Sequence, residues 1–269
     1  MSFTNHQTNG LLWLTSPLLD RESGKIRHGF STRLGGASTA PWDSLNLDVG
    51  RGDSPDAVRE NYRRFCAVLG ADERRVVLTK QVHEDTVRVV SGADAGKGLY
   101  AKRDYTADAF ITHEPNLPLV VFSADCGILL LHDPKTGCIG AVHAGWRGCA
   151  LGIVMKTVRE MERVYGAKPD HLLAAIGPCI GPCCFETDDD VPDAMRTALG
   201  ADSEPYLDRR TLKWHVDLAG LNRQWLLNSG VLPEHIDLCG LCTACRPDWF
   251  WSHRKMGNAR GAQIALITL

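Results

Sequence analysis

A chain of 269 residues with 44% hydrophobic and 23% charged residues can bury a sizeable core, which excludes the disordered, collagen-like and disulfide-stapled miniprotein classes. Its 30 Lys and Arg against 32 Asp and Glu leave a net charge of -2, so no global field favours nucleic acid or an anionic membrane, and neither is expected as a partner. Any anion recognition must be local.

No apolar run approaches the ~20 residues of a membrane-spanning helix. The opening MSFTNHQTNGLLWL lacks the basic start, apolar run and cleavage site of a signal peptide. The expectation is a cytoplasmic protein whose ten cysteines stay reduced and available for metal or catalysis. With no repeat and no linker, the chain reads as one domain over 1–269, with residues 1–25 a peripheral segment.

In chain order, Ser54-Pro55-Asp56 predicts a capped helix with Val58, Tyr62, Phe65 and Leu69 on one face and Gly70 as its stop. Short runs then predict strands at 76–79, 86–90, 109–112, 119–122, 127–131 and 138–142. LVVF and ILLL are apolar at every position, so these strands are expected to be covered on both faces. From Leu151 through Val154, Val158 and Met161 to Tyr165 the spacing is helical again, with the helix expected to begin right after His143. A strand at 172–176, a helix capped by Asp217 and a last strand at 263–269 follow. Strands and helices without strict alternation predict a layered α/β (α+β) fold with mixed β-sheets covered by helices.

His83, Cys126 and His143 stand where apolar strands end. Two imidazoles and a thiolate make a zinc set with an open fourth position. A lone His or Cys is more often packing, but the polar settings QVH, ADC and HAGWRG are wasteful in a core and sensible in a site. Asp125 beside Cys126 is the candidate acid/base carboxylate. Gly145 and Gly148 permit close backbone approach, and the Arg147 guanidinium suits phosphate or carboxylate. Cys239, Cys242 and Cys245 lack the fourth cysteine of an iron–sulfur run, and Cys179, Cys183 and Cys184 read as buried structural thiols. Trp249, Phe250 and Trp251 either stack on a planar ligand or fill core.

The segments HGFSTRLGG (28–36), SLNL (44–47), QVH (81–83), ADC (124–126), HAGWRG (143–148), IGPCIGPCCFE (176–186), CTAC (242–245) and FWSHR (250–254) resemble the laccase-domain family. That family was first labelled multicopper polyphenol oxidase and includes the peptidoglycan editing factor. The resemblance implies a metal site carried onto His83, Cys126 and His143, and zinc-dependent phosphorolysis of adenosine, inosine, guanosine and methylthioadenosine with deamination of adenosine. It also implies substrate or phosphate contacts at Arg33, Asn46, Gln81, Arg147, Ser252 and Arg254. Where many members have Gly-Arg before the last strand, this chain has Gly261-Ala262, with Arg260 displaced. No His-x-His pair occurs among the ten histidines, which argues against a multicopper oxidase, although copper outranks zinc for such ligands and adventitious copper would be unsurprising. The expected partners are a nucleoside and phosphate, on a monomer or weak homodimer. The competing readings are a peptidoglycan-precursor editing hydrolase and a metal-free Cys/His hydrolase.

Overall fold

The computed structural model describes residues 3–269. Its strands are β1 (Thr4–Thr8), β2 (Leu11–Thr15), β3 (Arg27–Ser31), β4 (Val77–Leu78), β5 (Val87–Val89), β6 (Ala109–Thr112), β7 (Leu119–Ser123), β8 (Gly127–His132), β9 (Ile139–Ala144), β10 (Leu173–Ile176), β11 (Glu186–Thr187), β12 (Leu207–Arg210), β13 (Lys213–Val216), β14 (Ile236–Leu238) and β15 (Gln263–Thr268). Its helices are α1 (Pro17–Asp20), α2 (Pro55–Leu69), α3 (Trp146–Ala150), α4 (Ile153–Tyr165), α5 (Asp190–Leu199), α6 (Leu218–Asn228) and α7 (His253–Met256). One sheet runs β1-β2-β3-β15-β7-β4, a second β14-β10-β8-β9-β6-β5, and a small third β11-β13-β12. Both large sheets are mixed: β4 on β7, β5 on β6 and β10 on β14 are parallel within otherwise antiparallel ladders.

Burial follows from the apolar runs, because a strand with no polar face needs cover on both sides. Leu119 and Val121 of β7 meet Ile128 and Leu130 of β8 in the seam between the large sheets, while Val120 and Phe122 turn outward onto Tyr62 and Phe65 of α2. On the other side Leu129, Leu131 and Val142 pack under Val154, Val158 and Met161 of α4 and Leu221 and Trp225 of α6. The result is a helix–sheet–sheet–helix stack, the layered α/β arrangement expected. The caps of α2 also stand as read: Ser54 accepts the Ala57 amide, Pro55 opens the helix, and Gly70 ends it at φ 65°.

Two expectations are corrected. The segment before residue 25 is not peripheral: β2 is buried along its length and is hydrogen-bonded between β1 and β3 in the first sheet. Its signal, LLWL, is too short and too uniformly apolar to separate strand from helix by periodicity. The helix after His143 is two helices, because Gly152 takes φ 72° and breaks the ladder, which turns Leu151 outward at 47% exposure.

Inside β3, buried His28 accepts the Ser16 amide on Nε2 at 2.9 Å. Burial above all, opposed by the Asp20 carboxylate and aided by His6, lowers its pKa from 6.5 to about 4. An unfolded chain takes this proton at higher pH than the folded one. The related stability is therefore complete above pH about 6.5 and lost as pH falls towards about 4, by on the order of 3 kcal/mol. Urea unfolding of His28→Gln is expected to show lower stability at pH 8 but a smaller loss between pH 7 and 4.5 than the parent chain; equal losses would contradict this.

Candidate metal centre and substrate cleft

Strand register assembles the centre. β6 pairs with β9 with Ala109 opposite Val142, which places Asp108 across from His143. His143 Nδ1 lies 2.8 Å from Asp108 Oδ1, and the His143 amide donates to the Asp108 carbonyl at 2.7 Å. Fully buried Asp108 also accepts the amides of Val82, His83 and Glu84 at 3.0, 3.1 and 3.2 Å. These three amides hold the loop with His83 at φ 63°, a left-handed conformation that a residue with a β-carbon keeps only where its surroundings impose it. β8 pairs with β9 with Gly127 opposite Ala144, bringing Cys126 beside Gly145. The three donor atoms of His83, Cys126 and His143 lie within 4.8 Å of one another, with Cys126 Sγ 3.9 Å from His83 Nε2.

Cys126 and His143 pair as thiolate and imidazolium, and a cation bound between them would take the place of the His143 proton. Burial opposes ionisation of Cys126, but His143 and His83 outweigh it and bring the thiol from 9.0 down to about 6. Burial also opposes a charged His143, yet the Cys126 sulfur and Asp108 raise that imidazole from 6.5 to about 9. With Nδ1 committed to Asp108, His143 presents Nε2 outward, the arrangement by which a carboxylate orients a metal-ligating histidine. A thiolate and two imidazoles meet the preference of zinc and leave one position open. Gly145 belongs to the same fit: a β-carbon there would stand 2.8 Å from Cys126 Sγ. Gly145→Ala is accordingly expected to retain the fold but lose most bound metal, read as metal per chain beside an unchanged far-ultraviolet spectrum.

Two lobes of a cleft meet at His83 and Cys126. One, of about 330 Å³, is lined by Arg51, Lys80, Arg103 and Arg260 and by the acid Asp48, whose Oδ2 accepts from Arg51 Nε at 3.0 Å. The other, of about 400 Å³, is walled by Trp146, Ile180, Phe185 and Leu218, with Asp125, His253, Arg254 and Asn258 at its polar side, and it shares Arg51 and Arg260 with the first. Both volumes fall in the range of small-molecule pockets. Burial first, and then the Arg51 cation, bring the Arg260 guanidinium down to about 10, still charged at neutral pH.

The structure sorts the sequence-derived residues. His83, Cys126 and His143 converge. Gln81 lines the cationic lobe while its amide exchanges hydrogen bonds with the Phe122 backbone at 2.6 and 2.9 Å. Arg254 lines the apolar lobe, but its guanidinium donates to the carbonyls of Cys184 and Glu186 at 2.9 Å each.

The others make contacts within the fold. Arg33 stacks 4.2 Å above Trp251 and donates to the carbonyls of Asp43 and Pro247. Buried Asn46 braces its loop to Asp53 and Ala262. Arg147 is exposed, stacked 4.2 Å from the Trp146 ring, and outside both lobe linings. Asp125, at φ 92°, accepts from Thr243 and Ser252 hydroxyls and the Arg254 amide at 2.6, 3.0 and 2.7 Å. These contacts brace a turn while Asp125 lines the apolar lobe beside Cys126; the carboxylate hydrogen-bonded to His143 is Asp108. Phe250 and Trp251 are fully buried and fill core.

Sequence reading missed Asp108, Arg51, Lys80 and Arg103, and noted Arg260 only as displaced from the family position. The displaced Arg260 reaches the cleft from its own position, while Ala262 lines the wall beside it.

Two mixed sheets sealed by helices, with a His–Cys–His set at strand ends opening on one cleft, define a layered α/β domain whose donor set fits a metal ion. The family model described as multi-copper polyphenol oxidoreductase laccase matches residues 27–269, and the chain belongs to that family. It is 34% identical over 253 residues to the Bacillus subtilis protein named purine nucleoside phosphorylase YlmD, covering 92% of this chain and 90% of that one. A Deinococcus radiodurans protein named purine nucleoside phosphorylase is 38% identical over 254 residues, covering 94% and 93%. The crystal structure of the Bacillus licheniformis hypothetical protein YfiH superposes with a TM-score of 0.92 at 30% identity, covering 99% of this chain and 98% of that one. No helix among the described residues is long and apolar enough to cross a membrane.

Proposed function

We propose that the chain is a purine nucleoside phosphorylase acting on adenosine, inosine, guanosine and methylthioadenosine, with adenosine deamination at the same centre. The observation that carries this reading is the junction itself: three metal-ligand side chains stand between a lobe of cations and a lobe of aromatic and aliphatic walls. His83, Cys126 and His143 would hold zinc, which supplies Lewis acidity to the substrate and activation of water for deamination.

The remaining work belongs to the chain. Arg51, Lys80 and Arg260 hold phosphate by charge-assisted hydrogen bonds, and Trp146, Ile180, Phe185 and Leu218 enclose the purine, so ribose C1′ falls at the junction. A phosphate oxygen bonds to C1′ as the bond from C1′ to purine nitrogen breaks. The bonding pair leaves with the base, and the proton carried in on phosphate ends on a purine nitrogen. His253 and Asn258, which line the same lobe, would hydrogen-bond the departing ring.

One observation favours a second reading. Cys126, His143 and Asp108 are also the sequence of groups of a cysteine nucleophile, its base and an orienting carboxylate. Chromatography of products from adenosine, with and without phosphate, decides. Adenine with ribose 1-phosphate only in its presence supports the phosphorylase, and inosine without it supports the deamination, each lost in Cys126→Ala. Neither product from metal-loaded protein refutes it, and activity that survives complete metal removal favours the cysteine hydrolase.

A further inference from the structure

The cysteines outside this centre form a second group. Cys183, Cys184, Cys242 and Cys245 bring four sulfur atoms within 4.8 Å of one another, although 58 residues separate the two pairs. Cys183 and Cys184 were read from sequence as buried structural thiols. Instead Cys183 and Cys245 are exposed, and Cys184 and Cys242 only partly covered, so packing does not account for their convergence.

Backbone geometry makes the group. The Cys184 and Phe185 amides both donate to the Gly181 carbonyl, each at 2.9 Å, a turn that carries adjacent cysteines to one side of the chain. The second pair comes from a turn closed by the Arg246 amide on the Cys242 carbonyl at 3.2 Å. The loops are joined by a bridge between Cys179 and Cys242 and by the Thr243 amide on the Cys179 carbonyl at 3.1 Å.

We propose that these four cysteines are a second metal site, binding zinc as a closed tetrathiolate. Cys183 Sγ and Cys184 Sγ each lie 3.4 Å from Cys245 Sγ. A tetrahedral ion with bonds of about 2.3 Å to sulfur sets its ligands about 3.8 Å apart, close to this spacing. A disulfide requires about 2.05 Å, and it cannot join Cys245 to both neighbours. The Gly181 amide donates to Cys242 Sγ at 3.2 Å, the kind of N–H contact that settles a metal-bound thiolate. Soft sulfur ligands in tetrahedral array select zinc over harder cations, and several irons would need the sulfurs spread wider.

Four thiolates leave no open position, so the ion is structural. It ties the loop carrying Ile180, Phe185 and the carbonyls that hold Arg254 to the loop whose Thr243 braces Asp125. One wall of the apolar lobe is thereby fixed from outside the cleft.

The test uses the full chain carrying Cys126→Ser, which removes the first centre. Elemental analysis is expected to give one zinc per chain, falling to none when Cys245→Ser is added. Loading the Cys126→Ser protein with cobalt(II) alone is expected to give the sulfur-to-metal charge-transfer and strong visible bands of a tetrahedral tetrathiolate, which needs no second variant to fold. Folded Cys126→Ser protein without metal, iron in the quartet instead of zinc, or a non-reduced mass four hydrogens below the fully reduced one would each overturn the proposal.

Discussion

Replacing Asp108 by asparagine is expected to weaken metal retention by about 10- to 100-fold, with phosphorolysis falling in step. Each Asp108 oxygen has two donors: Oδ1 faces His143 Nδ1 and the His83 amide, while Oδ2 faces the Val82 and Glu84 amides. An asparagine must turn an NH2 towards one of these pairs, leaving donors opposed in a fully buried site, at roughly 1–3 kcal/mol for each unsatisfied group. Two ligands are disturbed together, since Asp108 orients His143 and holds the backbone of His83. Metal per chain after dialysis against a chelator measures the effect, with a melting curve to separate it from unfolding. Retention equal to that of the parent chain would remove Asp108 from the centre.

Arg260→Ala is expected to raise the KM for phosphate roughly 10- to 150-fold while changing the KM for nucleoside little, the loss of a charge-assisted hydrogen bond of about 1.5–3 kcal/mol. The side chain is 8% exposed and lines the cationic lobe beside Arg51, which Asp48 already pairs at 3.0 Å, so Arg260 is the buried cation there whose charge an anion would compensate most. Arg147→Ala, by contrast, should shift phosphate KM by no more than about threefold, because exposed side chains off the cleft contribute little. Phosphate titrations at saturating inosine distinguish the two. A larger effect at Arg147 than at Arg260 would restore the anion role first read for the HAGWRG turn.

What the sequence revealed depended on how local each signal was. The two-sided strands β7 and β8 and the caps of α2 are written in consecutive residues, and they fold as read. The convergence of the three candidate ligands was legible because His83, Cys126 and His143 each interrupt or end an apolar run. Asp108 carries no such mark: it is an acid before AFIT, and only the β6–β9 register sets it opposite His143. The cleft arginines were hidden likewise, since Arg51, Arg103 and Arg260 come from three separate loops among many solvated charges. Arg33 and Arg147 had motif settings but spend their charge on carbonyls or an indole face. The thiol quartet was illegible because adjacent cysteines followed by a distant CxxC match no local metal spacing; a turn at Gly181 and the meeting of two loops create it.

The most direct measurement is anomalous diffraction at the zinc edge from crystals grown with zinc, hypoxanthine and phosphate. The expected map has a zinc peak among His83, Cys126 and His143, the purine between Trp146 and Phe185, and phosphate on Arg51 and Arg260. A purine bound elsewhere, or no metal between the lobes, would contradict the assignment of this cleft as the site of nucleoside phosphorolysis.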